Sequence, residues 1–229
     1  MLPAPVPPLV TLHLWRVSPR DVPRALARMA LDRGRARKTT GVRFAKMLGT
    51  GDGRTFTVRD ADPLRWGLLT VWDAPGPSVV ADSWQRLAQE TWRVDLRPLV
   101  SRGRWSGREP FGSPDPLPHD GPVAAITRAR LTPRKAVTFW RAVPPVSAAL
   151  RRSPGLLTAL GIGEAPVGLQ GTFSLWSSAT SLRDFAHREA AHTEVVRRTA
   201  EEGWYAEELF ARFAVLGSQG TLDGRDPLA

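Results

Sequence analysis

The stretch LVTLHLWRVSPRDV, residues 9–22, is answered 114 positions later by VAAITRARLTPRKAV, residues 123–137. Each is a short apolar run, a Ser-Pro or Thr-Pro helix start, and then basic residues. The parallel continues in order. GVRFAKMLGTG (41–51) corresponds to GLLTALGIG (155–163), and WGLLTVW (66–72) to QGTFSLW (170–176). Gly41 and Gly155 are 114 residues apart, whereas Trp72 and Trp176 are 104 apart, so the first half carries ten extra residues around Asp52 to Arg65. The chain is a duplication, readable as an ordered pattern rather than as identity.

Periodicity supplies the elements of each half. Leu9 to Val17 alternates, with Val10, Leu12 and Leu14 on one face and Thr11, His13 and Trp15 on the other, as a strand with two usable faces does. Pro19 to Asp32 reads as a helix, with Ser18 placed to cap it and Pro19 at its first position. Strands follow at Val42–Leu48 and Trp66–Trp72, a helix at Ser78–Glu90 and a strand at Trp92–Val100. The second half repeats this: a helix from Pro133, strands at Leu156–Ile162 and Thr172–Trp176, a long helix Thr180–Glu202 and a strand Leu209–Leu216. Each half is therefore β-α-β-β-α-β, the ferredoxin-like arrangement. The expected fold is α+β, two tandem ferredoxin-like halves forming a pseudo-dimeric barrel. The halves are residues 9–112 and 122–221, joined by a Pro- and Gly-rich linker, 113–121. Helices cover only one face of each sheet, so the other faces are expected to meet, with a cavity between them.

Composition narrows the classes. An apolar content of 42% suits a packed core. No run approaches the ~20 apolar residues of a membrane span, and the Pro-rich start lacks the basic end of a secretion signal. The absence of cysteine excludes disulfides, thiolate metal sites and cysteine nucleophiles, and fits the cytoplasm. The net charge of +10, nearly all from arginine spread along the chain, raises the question of an anionic partner. The glycine clusters at 49–53 and 161–163 lack phosphate-loop spacing and open no helix, so they read as strand-end turns or bulges.

Only four histidines are present, so each can be weighed. His119 falls in the linker. His187 and His192 share the long helix five residues apart, too far round for one metal. His192 falls on the apolar stripe with Phe185 and Val196, and His187 on the wetter side. An inward histidine is either a satisfied core residue or an axial ligand to haem, which needs one base and an apolar slot. His13, beside Trp15, is the second inward candidate. Nine tryptophans against one tyrosine suit either a core or an elongated apolar ligand.

Several longer stretches carry a resemblance. RFAKMLGTGDGRTF from Arg43, VSRGRWSGREPF from Val100, GPVAAITRARL from Gly121, FWRAVP from Phe139, GIGEAPVGLQGTFSLW from Gly161 and HTEVVRRTAEEGWYAEELFARF from His192 together resemble the spheroidene monooxygenase family. The resemblance implies O2-dependent oxygenation of a carotenoid and haem b as cofactor, with iron held by His192, which stands twelve residues before the Trp of a W-x-x-E-E-L motif. It implies cations for the haem propionates, for which Lys46, Arg128 and Arg141 fall in matched stretches. The distal side would be lined by His13, Trp15 and Trp72, with His13 and Trp72 as catalytic groups. Trp15, Phe44 and Trp176 would receive the substrate. An electron donor such as a ferredoxin and peripheral contact with the inner membrane face would go with an apolar substrate, and no nucleic acid is expected. The competing readings are a haem-dependent oxidase, peroxidase or dehydratase on a natural-product intermediate, a cofactor-free oxygenase, and a tandem RNA- or ligand-binding module. Against RNA, no RNP-type strand is present.

Overall fold

The structure is a computed structural model that describes residues 8–54, 60–112, 114, 118–132, 134, 136–164, 169–188 and 205–229, with side chains at 136–143, 169–170 and 187–188 outside the description. The first half runs β1 (Leu9–Arg16), α1 (Val22–Arg37), β2 (Val42–Gly51), β3 (Ala61–Trp72), α2 (Val79–Gln85) and β4 (Glu90–Gly103). The second runs β5 (Val123–Leu131), α3 (Ala136–Arg152), β6 (Leu156–Gly163), β7 (Leu169–Trp176), α4 (Ala179–Arg188) and β8 (Tyr205–Gly220). The part of the expected long helix beyond Arg188 lies outside the described residues.

The eight strands close into one antiparallel barrel in the order β1-β3-β2-β6-β7-β5-β8-β4. Within each half the order is that of a ferredoxin-like sheet, β4-β1-β3-β2 and β8-β5-β7-β6. The halves join along two seams. The long one runs from Trp92 opposite Gly220 to Gly103 opposite Leu209. The short one is three pairs, Gly49 with Gly163, Thr50 with Ile162 and Gly51 with Gly161, so the glycine clusters mark the place where two strands meet edge to edge. Leu9 pairs with Trp72 and Val123 with Trp176, which aligns β1 with β5 residue for residue.

Alternation decides the layers. Val10, Leu12 and Leu14 point into the barrel with Phe44, Leu69, Val71 and Trp92 of the first half and Ile126, Phe173, Leu175 and Phe213 of the second, in one shared core. The opposite faces lie under helices: Trp15, Met47, Trp66 and Leu68 against Met29, Val80 and Trp84 in the first half, and Val123, Ala125, Trp176 and Ala214 against Leu182 in the second. Where a cavity between the sheets is expected, the described residues place side chains. Fully buried Phe111, Phe173 and Phe213 fill that space, because both inner faces are apolar and such faces interlock at close to crystalline density.

Each long seam strand ends in the same device. After Gly103, Trp105 bridges to Arg108 and Trp105 and Phe111 turn back into the barrel; after Gly220, Leu222 bridges to Arg225 and Leu222 does the same, with Leu228 packed against it. The sequences are SRGRWSGREPFG (101–112) and SQGTLDGRDPLA (218–229). Residues 104–112 and 221–229 thus plug the barrel.

Candidate functional site

The described residues bring chemistry-bearing side chains together at several places, and two of these hold residues that the sequence singles out. The first is a cleft of about 340 Å³ on the helix-covered face of the N-terminal half, at the low end of the usual range for ligand sites. Pro75 to Ser78, leading into α2, form one lip, and strands β1 and β4 with the end of β8 form the floor. Ser78 starts α2 by accepting a hydrogen bond from the Ala81 amide, 3.2 Å. On the floor Thr11, His13 and Trp15 point outward together, and Trp72 donates from Nε1 to Thr11 Oγ1 at 3.0 Å. His13 stacks on Trp15 with ring centroids 5.5 Å apart, and Trp15 stacks on Trp84 at 5.4 Å.

Electrostatics make His13 neutral. Burial and the charge of Arg93, its cross-strand partner on β4, push its imidazole down to about 4. Arg93 is held by Asp95 through two bonds, of 2.7 and 3.0 Å. A neutral imidazole at the wall of an aromatic cleft can donate one hydrogen bond, accept another or take up a proton. Gln85, Asp82 and Gln219 add polar groups at the rim. Arg93 and Gln219 escape a reading of the sequence because only the strand register brings them beside His13.

The second place is an ion cluster at one end of the barrel interior. Lys46 Nζ is bonded to Glu164 and, at 2.6 Å, to Ser106 Oγ. Arg128, 4% exposed, is paired with Glu207 and lies 3.4 Å from Glu164, with its guanidinium over the Trp105 ring. Burial pushes the Glu207 carboxyl up, but the Gly107 amide, Arg128 and the Ser106 amide outweigh it and hold the group below the usual range. Strand alignment places Leu14 at the position equivalent to Arg128 and Leu160 at that equivalent to Lys46. The cluster therefore breaks the pseudo-symmetry: the opposite end of the barrel is apolar at both positions.

These placements separate residues that the sequence reading groups. His13, Trp15 and Trp72 do come together, but on the outer face of the N-terminal half. Trp176 lies on the outer face of the other half, 5.5 Å from Phe185 of α4, with the filled barrel between. Phe44 is inside the barrel, edge-on to Trp105 at 5.6 Å. Lys46 and Arg128 share that interior face and already have carboxylate partners, so a haem on a helix-covered face would lie on the other side of the sheet from both. Arg141 sits on α3 with its side chain outside the described residues, as is that of His187 on α4; His192 lies outside them altogether. His119 meets the Pro122 carbonyl at 2.8 Å.

No family model matches the chain. It is 36% identical over 235 residues to a spheroidene monooxygenase of Rhodobacter capsulatus, with 97% of this chain and 96% of that protein covered. It is 37% identical over 193 residues to one of Rubrivivax gelatinosus, covering 81% and 73%. Among solved structures, an aldoxime dehydratase superimposes with a TM-score of 0.58 at 12% identity over 91% of this chain and 81% of that one, a likeness of fold.

Proposed function

The chain belongs to the spheroidene monooxygenase family, and we propose on that footing that it uses haem b to insert one atom of O2 into an allylic C–H bond of a carotenoid or similar polyene. The near full-length similarity to a named monooxygenase carries the reading. The second oxygen atom leaves as water, so two electrons and two protons must be supplied, and a one-electron carrier such as a ferredoxin is the proposed donor.

The residues of the C-terminal half suit a flat macrocycle better than those of the N-terminal half. Strand alignment sets Ala125, Thr127 and Ala129 of β5 against Thr11, His13 and Trp15 of β1. Where the floor of the first half carries stacked rings, that of the second has small side chains, and Thr127 at its centre is exposed. Trp176 and Leu182 pack with Ala125 at one end of that floor. His192, between α4 and β8 in the chain, is the proposed axial base, and Arg141 the proposed propionate partner. The iron would supply the activation of O2. The protein's part is to present one neutral imidazole, to keep water from the reacting carbon and to lay an apolar chain along small residues.

Reconstitution with haem tests this. The purified chain should show a Soret band; His192→Ala should abolish or strongly shift it, and His187→Ala should leave it in place. Ala129→Trp, which imports the bulk of the N-terminal floor, should prevent haem uptake while the protein still melts cooperatively. A wild-type chain that takes up no haem, or an Ala129→Trp variant that loads fully, overturns the assignment.

A further inference from the structure

Helix α1 has two apolar faces where one is enough. Its inner face, Ala25, Met29 and Ala36, is buried on the sheet. Turning 100° per residue, Pro23, Leu26, Ala27, Ala30, Leu31 and Gly34 form a second stripe on the side away from the sheet, and all six are exposed. Leu26 is 55% and Leu31 64% exposed. Single exposed leucines need no explanation; here the two lie on either flank of an outward face whose other members, Pro23, Ala27, Ala30 and Gly34, are small and uncharged.

The charges around the stripe say what covers it. Arg24, Arg28 and Arg35 run along one side of it and Arg33 along the other, and Arg37 closes its C-terminal end. The one carboxylate of α1, Asp32, is buried and bonded to Trp84 Nε1 at 3.0 Å and to Arg35 at 3.1 Å. From Arg20 to Lys38 there are seven cations against two acids, a net of +5. Arg28 and Arg33 are tied at their tips, to Ser83 Oγ of α2 and to the Glu164 carbonyl, which leaves the outward face of α1 presented. Among the described residues no helix is long and apolar enough to cross a membrane. A helix with an apolar stripe flanked by arginines instead lies in the plane of an interface, leucines among the acyl chains and guanidinium groups at the phosphates.

We propose that the outward face of α1 docks the protein on an anionic lipid surface. The proposal deepens the reading of an apolar substrate, since a polyene resides in such a bilayer, but it is tested without substrate and so fails or holds apart from that reading. A nucleic-acid polyanion would use the arginines and leave Leu26 and Leu31 idle.

Flotation of the full chain with phosphatidylcholine vesicles, with and without phosphatidylglycerol, tests the face. The wild type should float with the anionic vesicles at low salt and release as salt rises. Arg24→Gln/Arg35→Gln should weaken binding roughly thirtyfold, at the usual contribution of a cation near such a surface. Leu26→Ser/Leu31→Ser should weaken it about tenfold or more. Because the chain has no cysteine, Leu31→Cys carrying an environment-sensitive dye gives a direct readout: its emission should shift to the blue on anionic vesicles, while the same dye at Arg183→Cys on α4 stays unchanged. Failure of the wild type to float at low salt overturns the proposal. So does unchanged binding of the leucine variant, or a silent dye at position 31 with duplex DNA displacing the vesicles, which would assign the face to polyanions.

Discussion

His13 shows what a single residue can and cannot disclose. Its place on an alternating strand beside Trp15 is legible, and so is its inward direction. Which inside it faces is not, because β1 is covered on both faces and only barrel closure decides that Leu14 turns to the core and His13 to the helices. Arg93, which with burial holds His13 neutral, is invisible without the register. The consequence is a pH dependence of stability. Its folded value, about 4, lies below the ordinary 6.5, so between these limits the unfolded chain binds more protons. Stability is then full above about pH 6.5 and falls as pH drops toward 4, by at most about 3 kcal/mol. Thermal melts of wild type and His13→Gln across this range should show a slope in the first that is missing from the second; parallel curves would mean that His13 is protonated in the folded state. Arg128 makes the complementary point. In Arg128→Leu, Glu164 keeps Lys46 and the Trp105 Nε1 donor, so the loss should be about 1–3 kcal/mol, whereas Lys46→Met/Arg128→Leu, which takes both cations from Glu164, should cost about 3–5 kcal/mol in denaturant melts. Glu207 tolerates that exchange because the Ser106 and Gly107 amides still hold it.

At the scale of elements, the strands and the first helices are legible within a few residues, since capping signals and two-residue alternation are local. The barrel plugs are not read that way. The first half, 9–112, takes in its plug without revealing it, and a second half ending at 221 stops short of the other, because the Pro, Gly and charged residues of 101–112 and 218–229 imitate surface loops. Their folding follows from two tight turns, Ser106-Gly107 and Asp223-Gly224, with positive φ at all four residues, the geometry of type I′ turns. Each turn is entered through a glycine where any side chain would be strained. Gly103 has φ +86° and an added Cβ would lie 2.3 Å from the Glu208 carbonyl oxygen; at Gly220, φ is +85° and the distance to Thr91 O is 2.1 Å. Gly107, at φ +72°, meets nothing within 4 Å. Gly107→Ala should therefore cost about 1–2 kcal/mol, the ordinary penalty of left-handed backbone. Gly103→Ala and Gly220→Ala should cost more, about 2–4 kcal/mol, as a backbone collision adds to it. Equal melting temperatures for Gly107→Ala and Gly103→Ala would contradict the account of the plugs.

For the whole molecule the duplication is legible, but its consequence needs the seams. Each half has helices on one face of its sheet and leaves Val10, Leu12, Leu69 and Val71, or Ile126, Phe173, Leu175 and Phe213, on the other. In the closed barrel these faces cover each other, and β4 and β8 satisfy each other's edges along a seam from Trp92 to Gly103. The first half's plug, Trp105 and Phe111, also sits among residues of both halves, with Phe111 edge-on to Phe213 at 4.9 Å. A half by itself would expose an apolar sheet face and two unpaired edges, the combination that drives edge-to-edge association. Residues 8–121 and 122–229 expressed separately should be insoluble or self-associated. Expressed together, they should form a one-to-one complex that copurifies through a tag on either piece and melts in one transition. A self-associated N-terminal half is the informative case, since Arg128, Glu164 and Glu207 belong to the C-terminal half. Such a dimer would lack the carboxylate partner of Lys46 at both ends of its barrel and should yield to the heterocomplex when the second half is added. A soluble, monomeric N-terminal half with a cooperative melt would show that the barrel's two inner faces do not depend on each other.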